Sequence, residues 1–297
     1  MNIVIFGSGA IGSLFGALLS NKNNVILYGR KPHVDVINRE GLKIDGKTIF
    51  HKKLLATSNI KEIKTNIDLL ILSVKSYDTD MALKEIEKII DDNTILLTIQ
   101  NGLDNVEKIK NEFKHKQIIC GVTTHGSIFV KPGFIRHTGI GATVLGELNG
   151  VASKRIKNIV DLFNNSGIIA KYSNDIEKEI WIKAIINSSI NPLTTIFKCK
   201  NGYLLKNPIL FNTVKFICFE SVRIANSEGV NINPNDIFNK TKEVINGTSD
   251  NYSSMLQSYK KYKKTEINSI NGKLIEIGKK RNIDTTLNEL LVLLVNS

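Results

Sequence analysis

At 297 residues and 42% hydrophobic, the chain is long enough for two domains of ordinary size and apolar enough to bury a substantial core. Its formal net charge is +12, yet the lysines are scattered among asparagines and glutamates, so the excess predicts no nucleic-acid track; the densest group, Lys260, Lys261, Lys263 and Lys264, reads as a solvated helix face. The longest apolar runs, such as Leu69 to Leu72 and Leu290 to Val295, are too short for a membrane span, and Met1 to Phe6 lacks the basic start of a secretion signal. Cys120, Cys199 and Cys218 form no C-x-x-C pair, which argues against a zinc site and fits a reducing, cytoplasmic setting without nucleic-acid or membrane partners.

In chain order, Asn2 to Phe6 reads as a strand, Gly7-Ser8-Gly9-Ala10-Ile11-Gly12 as a glycine turn, and Ser13 to Ser20 as a helix. The G-x-G-x-x-G spacing carries meaning in that context. Gly7 permits the tight turn, Gly9 lets the backbone approach a pyrophosphate, Gly12 lets the helix pack on the strand, and the helix N-terminus offers N–H groups to phosphates. The second strand, Val25 to Tyr28, is followed by Gly29-Arg30-Lys31 and not by an acid, so a guanidinium stands where a 2′-phosphate would sit and NADP is expected over NAD. Strands at Leu69 to Val74 and Ile95 to Ile99, with an amphipathic stretch Asp80 to Ile90 between them, continue the sheet and put Lys75 and Gln100-Asn101-Gly102 at its carboxyl edge. Lys75 is a candidate cofactor contact and Asn101 a candidate contact to both nicotinamide and substrate.

From Ile118 the pattern turns to short, glycine-rich β-like runs through Val144 to Glu147, then a helix near Ala152 to Phe163 and a strand near Ile168 to Tyr172. His125 and His137, lacking partners at ligand spacing, read as structural or loop residues. After Ser173 helical patterns dominate, giving a nucleotide-binding domain over 1–173 and a helical domain over 174–297, with the active site expected in the cleft between them. In the opening helix, Lys183, Asn187 and Asn191 share a face at i, i+4 and i+8 among apolar neighbours, a row suited to a small keto acid. Pro192 is expected to end or kink that helix. Downstream, Ser254 and Glu266 are candidates for the same site, although by residue type alone Ser254 reads as a helix cap and Glu266 as a surface charge.

Together these segments resemble the ketopantoate reductase (2-dehydropantoate 2-reductase) family over essentially the whole chain. The specific motifs are W-x-K-x-x-x-N-x-x-x-N-P-L-T at Trp181 to Thr194, Asn201-Gly202, N-x-S-S-M-L-Q from Asn251, and T-E-I-N-x-I-N-G from Thr265. The resemblance implies an α/β Rossmann domain followed by an all-α domain like that of 6-phosphogluconate dehydrogenase, and reduction of 2-dehydropantoate to (R)-pantoate with NADPH in pantothenate and coenzyme A biosynthesis. It implies Lys183 and Glu266 as catalytic residues, and Asn101, Asn187, Asn191, Asn201, Asn251 and Ser254 as substrate contacts. Gly7, Ser8, Gly9, Ala10, Ile11, Gly12, Arg30, Lys75, Asn101 and Glu266 would contact the cofactor. No metal is implied, and the protein is expected as a monomer or homodimer. Reduction of another branched 2-oxo acid is the near alternative, and a non-catalytic NADP sensor the distant one.

Overall fold

The computed structural model describes residues 1–113 and 117–297. By internal contacts the chain divides into two units, Met1–Gln100 with Asn105–Ile176, and Asn101–Asp104 with Glu177–Ser297. The division thus falls just after the residue 173 expected from the fading strand signal, and the four residues from Asn101 group with the later unit.

The first unit runs β1 (Asn2–Phe6), α1 (Ala10–Leu19), β2 (Asn24–Tyr28), α2 (Lys31–Glu40), β3 (Leu42–Gly46), β4 (Phe50–Lys52), β5 (Leu55–Thr57), β6 (Leu69–Leu72), α3 (Thr79–Ile86) and β7 (Ile95–Thr98). It continues with α4 (Asn105–Glu112), β8 (Gln117–Thr123), β9 (Gly126–Lys131), β10 (Phe134–Gly139), β11 (Thr143–Glu147), α5 (Lys154–Asn165) and β12 (Ala170–Tyr172). Eight strands form one sheet in the order β12-β11-β8-β7-β6-β1-β2-β5. It is parallel except where β11 pairs antiparallel with β8. Strands such as Leu69–Leu72 are apolar throughout because both faces of a helix-covered sheet are buried. The chain leaves β1 toward β2 and later returns to its other side at β6, so the order reverses beside β1, the place where such sheets bind ligands.

A second sheet, β4-β3-β10-β9, was not foreseen as a separate layer. Helix α1 packs between the two, against β1 and β2 on one side and β3, β9 and β10 on the other, which accounts for Leu14, Phe15 and Ala17 all being fully buried. Glu147 at the end of β11 anchors α5 by accepting from Arg155 Nε at 2.7 Å and from the hydroxyl of its N-cap, Ser153.

The second unit comprises α6 (Ile176–Ile196), α7 (Tyr203–Lys206), α8 (Pro208–Ser227), α9 (Pro234–Gly247), α10 (Ser254–Tyr259), α11 (Lys273–Lys280) and α12 (Thr286–Asn296), with a π-helical segment at Asn268–Gly272. Helix α8 packs on α7, α9, α11 and α12, and its Val214, Ile217 and Ile224 join Ile185, Ile245 and Leu274 in one core. Asparagines N-cap two of the helices, Asn207 accepting from Ile209 and Leu210, and Asn233 from Asn235 and Asp236.

One local expectation is narrowed and another fails. Pro192, expected to end or kink its helix, does not end it, since α6 continues to Ile196. The four lysines from 260 do not sit on a helix face; α10 stops at Tyr259, Tyr262 turns left-handed at φ 52°, and the lysines form an exposed turn with Lys260 Nζ 3.8 Å from the Tyr252 ring centroid.

Candidate active site

The carboxyl ends of β1, β2 and β6 align in register, Phe6 opposite Tyr28 and Leu72, which brings Gly7, Gly29 and Ser73 together. The N–H groups of Gly7 and Ser8 both donate to the Tyr28 carbonyl, at 3.0 and 2.9 Å, and the Ser73 hydroxyl donates to the Gly7 carbonyl at 2.8 Å. Gly7 sits at φ 107°, and a Cβ there would stand 2.6 Å from the Val74 nitrogen, so both backbone and space demand glycine. A Cβ on Gly12 would overlap the Gly7 carbonyl, whereas one on Gly9 would meet nothing within 4 Å. The open side of the turn is therefore at Gly9, the N-cap of α1. No side chain among the described residues caps that helix end and no acid lies in its first turn, leaving the first N–H groups of α1 suited to an anion.

Ser8 adds a hydroxyl that is buried and has no hydrogen-bond partner among the described residues. Ser13 and His33 hold the turn from behind, a pair the sequence did not single out. The Gly133 N–H donates to His33 Nδ1 at 2.8 Å, which leaves Nε2–H to donate to the Ser13 hydroxyl at 3.0 Å, and Ser13 in turn donates to the Ser8 carbonyl at 3.1 Å. Burial pushes the His33 pKa down to about 4, so the imidazole is neutral at neutral pH, as this relay requires.

Arg30 caps α2 with its backbone, and its exposed guanidinium pairs with Asp78 at 3.3 Å. Lys75 lies three residues before Asp78, at the head of a short 3₁₀ turn after β6, so both cations border the same edge as the glycine turn. Gln100 braces that edge, donating to the Val74 carbonyl at 3.0 Å and to the Thr79 hydroxyl at 2.8 Å.

In the second unit, Lys183, Asn187 and Asn191 occupy one row of α6 as expected from their spacing. From Trp181 to Thr195 every residue is buried except Ile182, Lys183 and Asn187, which are half-buried. Asn191 is buried, and its carbonyl accepts from the Thr195 hydroxyl at 2.7 Å. The Thr194 hydroxyl donates to Ser253 at 2.7 Å, and Ser253, not Ser254, caps α10 by accepting from Leu256 N–H. Ser254 is exposed, because the cap needs the residue whose backbone is still extended, one position earlier.

Asn201 and Asn251 are brought together, the Asn201 N–H donating to the Asn251 carbonyl at 3.0 Å. Asn201 spends its amide N–H on the Thr248 hydroxyl at 2.9 Å and keeps a buried Oδ1 with no partner among the described residues. Glu266, which residue type alone would place on the surface, is only 7% exposed and lies two residues before the π-helical segment, whose N-cap is Ile267. Asn101 leads into that segment's surroundings, since Leu103 N–H donates to the Ser269 carbonyl at 3.1 Å and Gly102 at φ 103° packs against Ser269. All the proposed substrate contacts therefore lie in the second unit, and the glycine turn, Arg30 and Lys75 in the first.

His125 and His137 are buried against each other, 3.2 Å between Nδ1 and Nε2, with Thr48 and Gly139 as further partners of His137. Burial and the neighbouring ring push His125 down to about 4. Among the described residues no group of three His, Cys, Asp or Glu could hold a metal ion, and no helix is long and apolar enough to cross a membrane.

Two family models cover this chain, ketopantoate reductase PanE/ApbA over residues 3–150 and ketopantoate reductase PanE/ApbA C terminal over residues 175–297. The chain is similar to the 2-dehydropantoate 2-reductase of Pyrococcus abyssi, 42% identical with 98% of this chain and 95% of the relative aligned. With that of Pyrococcus horikoshii it shares 38% identity over 100% and 97%. Among solved structures it is similar to 2-dehydropantoate 2-reductase from Geobacter metallireducens, with TM-score 0.94, 25% identity and coverage of 100% and 99%. A ternary structure of D-mandelate dehydrogenase with NADH and anilino(oxo)acetate gives TM-score 0.93, 28% identity and coverage of 100% and 97%.

Proposed function

The chain belongs to the ketopantoate reductase family PanE/ApbA, and from that premise we propose how its own residues carry the reaction. It is an oxidoreductase acting on a CH–OH group, reducing 2-dehydropantoate to (R)-pantoate with NADPH on the route to pantothenate. NADPH, when bound, supplies the hydride. The open face at Gly9, the uncapped end of α1 and the unpartnered Ser8 hydroxyl fit a pyrophosphate, Arg30 fits the added 2′-phosphate, and Lys75 is a further cofactor contact. Residues 1–173 bind the nucleotide in this reading, and 174–297, joined by Asn101, bind the substrate, with Glu266 also reaching the cofactor. The remaining contacts of the turn come from Gly7, Ala10, Ile11 and Gly12.

Lys183 is the group we assign to the carbonyl oxygen. Its ammonium stabilises charge developing on that oxygen and then protonates it. Glu266 orients the lysine and contacts cofactor and substrate, while Asn101, Asn187, Asn191, Asn201, Asn251 and Ser254 hold the keto acid, Ser254 at its carboxylate. The observation that carries this assignment is the exposure pattern of α6, in which Lys183 and Asn187 are two of only three residues not buried between Trp181 and Thr195. The protein works in the cytoplasm as a monomer or homodimer.

Lys183→Ala tests the assignment. Turnover should fall by about 10²–10⁴-fold, the range for a lost general acid, with NADPH affinity within about twofold of wild type. Near-normal turnover in the folded variant would remove Lys183 from the mechanism. A second reading, reduction of another branched 2-oxo acid, draws on the likeness to D-mandelate dehydrogenase, and analogues lacking the hydroxyl of 2-dehydropantoate separate the two because a site that bonds that hydroxyl rejects them.

A further inference from the structure

Pro192 lies inside α6, so the carbonyl of Ser188, four residues earlier, lacks the i+4 backbone N–H that would close the helical hydrogen bond. That carbonyl accepts instead from Asn271 Nδ2 at 3.1 Å. Asn271 is fully buried in the π-helical segment Asn268–Gly272, five residues after Glu266, and the same amide nitrogen donates to Asn288 Oδ1 at 2.9 Å. Asn288 passes the chain to Glu220, donating from its side chain at 2.7 Å and its backbone at 2.9 Å, while Leu287 N–H donates to the other carboxylate oxygen at 3.0 Å. Glu220 is 1% exposed and stands at the N-terminus of α12, where backbone N–H groups and the helix dipole favour a carboxylate. A second link joins α6 to α8, the hydroxyls of Ser188 and Ser221 lying 3.2 Å apart.

The orientation of the Asn271 amide is fixed. Turning it over would set its oxygen against two acceptors, the Ser188 carbonyl and Asn288 Oδ1, and as it stands Oδ1 is buried without a partner among the described residues. Ser188 follows Asn187 directly and lies one turn from Asn191, so the bond lands on the turn of α6 between the two asparagines. This is the turn whose own ladder the proline has opened.

We propose that Asn271 is a positioning residue for the reaction: its side-chain amide replaces the helix hydrogen bond removed by Pro192 and thereby sets the Asn187–Asn191 turn of α6 against the segment that carries Glu266. The inference rests on the roles given above to Lys183, Asn187, Asn191 and Glu266. It links the proline of the first motif, Pro192, to the last asparagine of the second, Asn271, nearly eighty residues further along the chain.

The test is a small set of full-length variants assayed with 2-dehydropantoate and NADPH. Asn271→Ala should lower kcat on the order of 10²-fold, as expected for displaced catalytic groups, while NADPH binding stays within about twofold. Adding Pro192→Ala restores a backbone N–H to the Ser188 carbonyl, so the double variant should recover at least about tenfold of that loss. If Asn271→Ala does not fold, Asn288→Ser keeps the bond to Ser188 but cuts its tether, and a kcat loss of about tenfold at unchanged NADPH affinity is expected. Wild-type kcat in folded Asn271→Ala or Asn288→Ser, or a double variant no better than the single, overturns the proposal. Failure of the underlying reading is separate and visible in the controls, as undiminished turnover by Lys183→Ala or none by wild type.

Discussion

In the proposed reading the two units prepare for ligands in opposite ways. Around the glycine turn the first unit strips side chains away, so that the N-terminus of α1 opens at Gly9, and the supporting residues Ser73, Ser13 and His33 stand behind. The second unit buries side-chain polarity, with Asn191, Asn201, Asn271, Asn288, Glu220 and Glu266 all buried. Backbone can be aimed at a phosphate because every residue supplies the same N–H, and only sterics need be relaxed. Recognition of a small keto acid needs particular amides and an ammonium, and these must be held by further hydrogen bonds because an unpaired buried amide costs about 1–3 kcal/mol. The first kind of site depends on a few glycines, the second on a network.

Acid should separate the units most strongly. All five histidines precede residue 140, so the helical unit has none. His33 and His125 titrate near 4 in the fold against about 6.5 in an unfolded chain, so the unfolded state binds more protons in between and stability falls as pH drops through that window. Together they should cost the first unit a few kcal/mol by pH 4, at 1.36 kcal/mol per pKa unit. NADP⁺ binding should therefore fail before the emission of Trp181, the single tryptophan and a residue of the helical unit, changes. Simultaneous loss of both signals would erase the contrast.

Within the first unit, Gly12→Ala should destabilise by about 1–3 kcal/mol, since its Cβ must displace the Gly7 carbonyl and the Ser73 hydroxyl. Gly9→Ala should leave thermal stability within about 0.5 kcal/mol yet weaken NADPH roughly tenfold, because the methyl group enters the space we assign to the pyrophosphate. Equal effects of the two substitutions on melting temperature would show that the opening at Gly9 is not a binding surface. The smallest effect is expected at Arg30, which is exposed and already paired with Asp78. Arg30→Ala should reduce the preference for NADPH over NADH by about tenfold, with NADH kinetics little changed.

The fold class and most strands were legible because their signals are local. The strand Asn2–Phe6 occurs where its apolar run predicted it, and the turn after it obeys steric rules that the glycine spacing encodes. The second sheet was not legible, since β3 pairs with β10 across about ninety residues and β4 has only three residues, too few for an alternating pattern. That α6 would continue past Pro192 was not legible for a related reason. A proline's effect depends on whether something else takes the carbonyl it frees, and here Asn271, far along the chain, does so. The burial of Glu266 and the transfer of the cap from Ser254 to Ser253 likewise depend on tertiary neighbours that residue type does not reveal.

The most direct test of the account is turnover by the wild-type protein, followed as oxidation of reduced nicotinamide, with 2-dehydropantoate beside 2-oxoisovalerate and with NADPH beside NADH. Rapid oxidation is expected with NADPH and 2-dehydropantoate, and a large loss when either the substrate hydroxyl or the 2′-phosphate is removed. Tight NADPH binding with no oxidation of 2-dehydropantoate would contradict it.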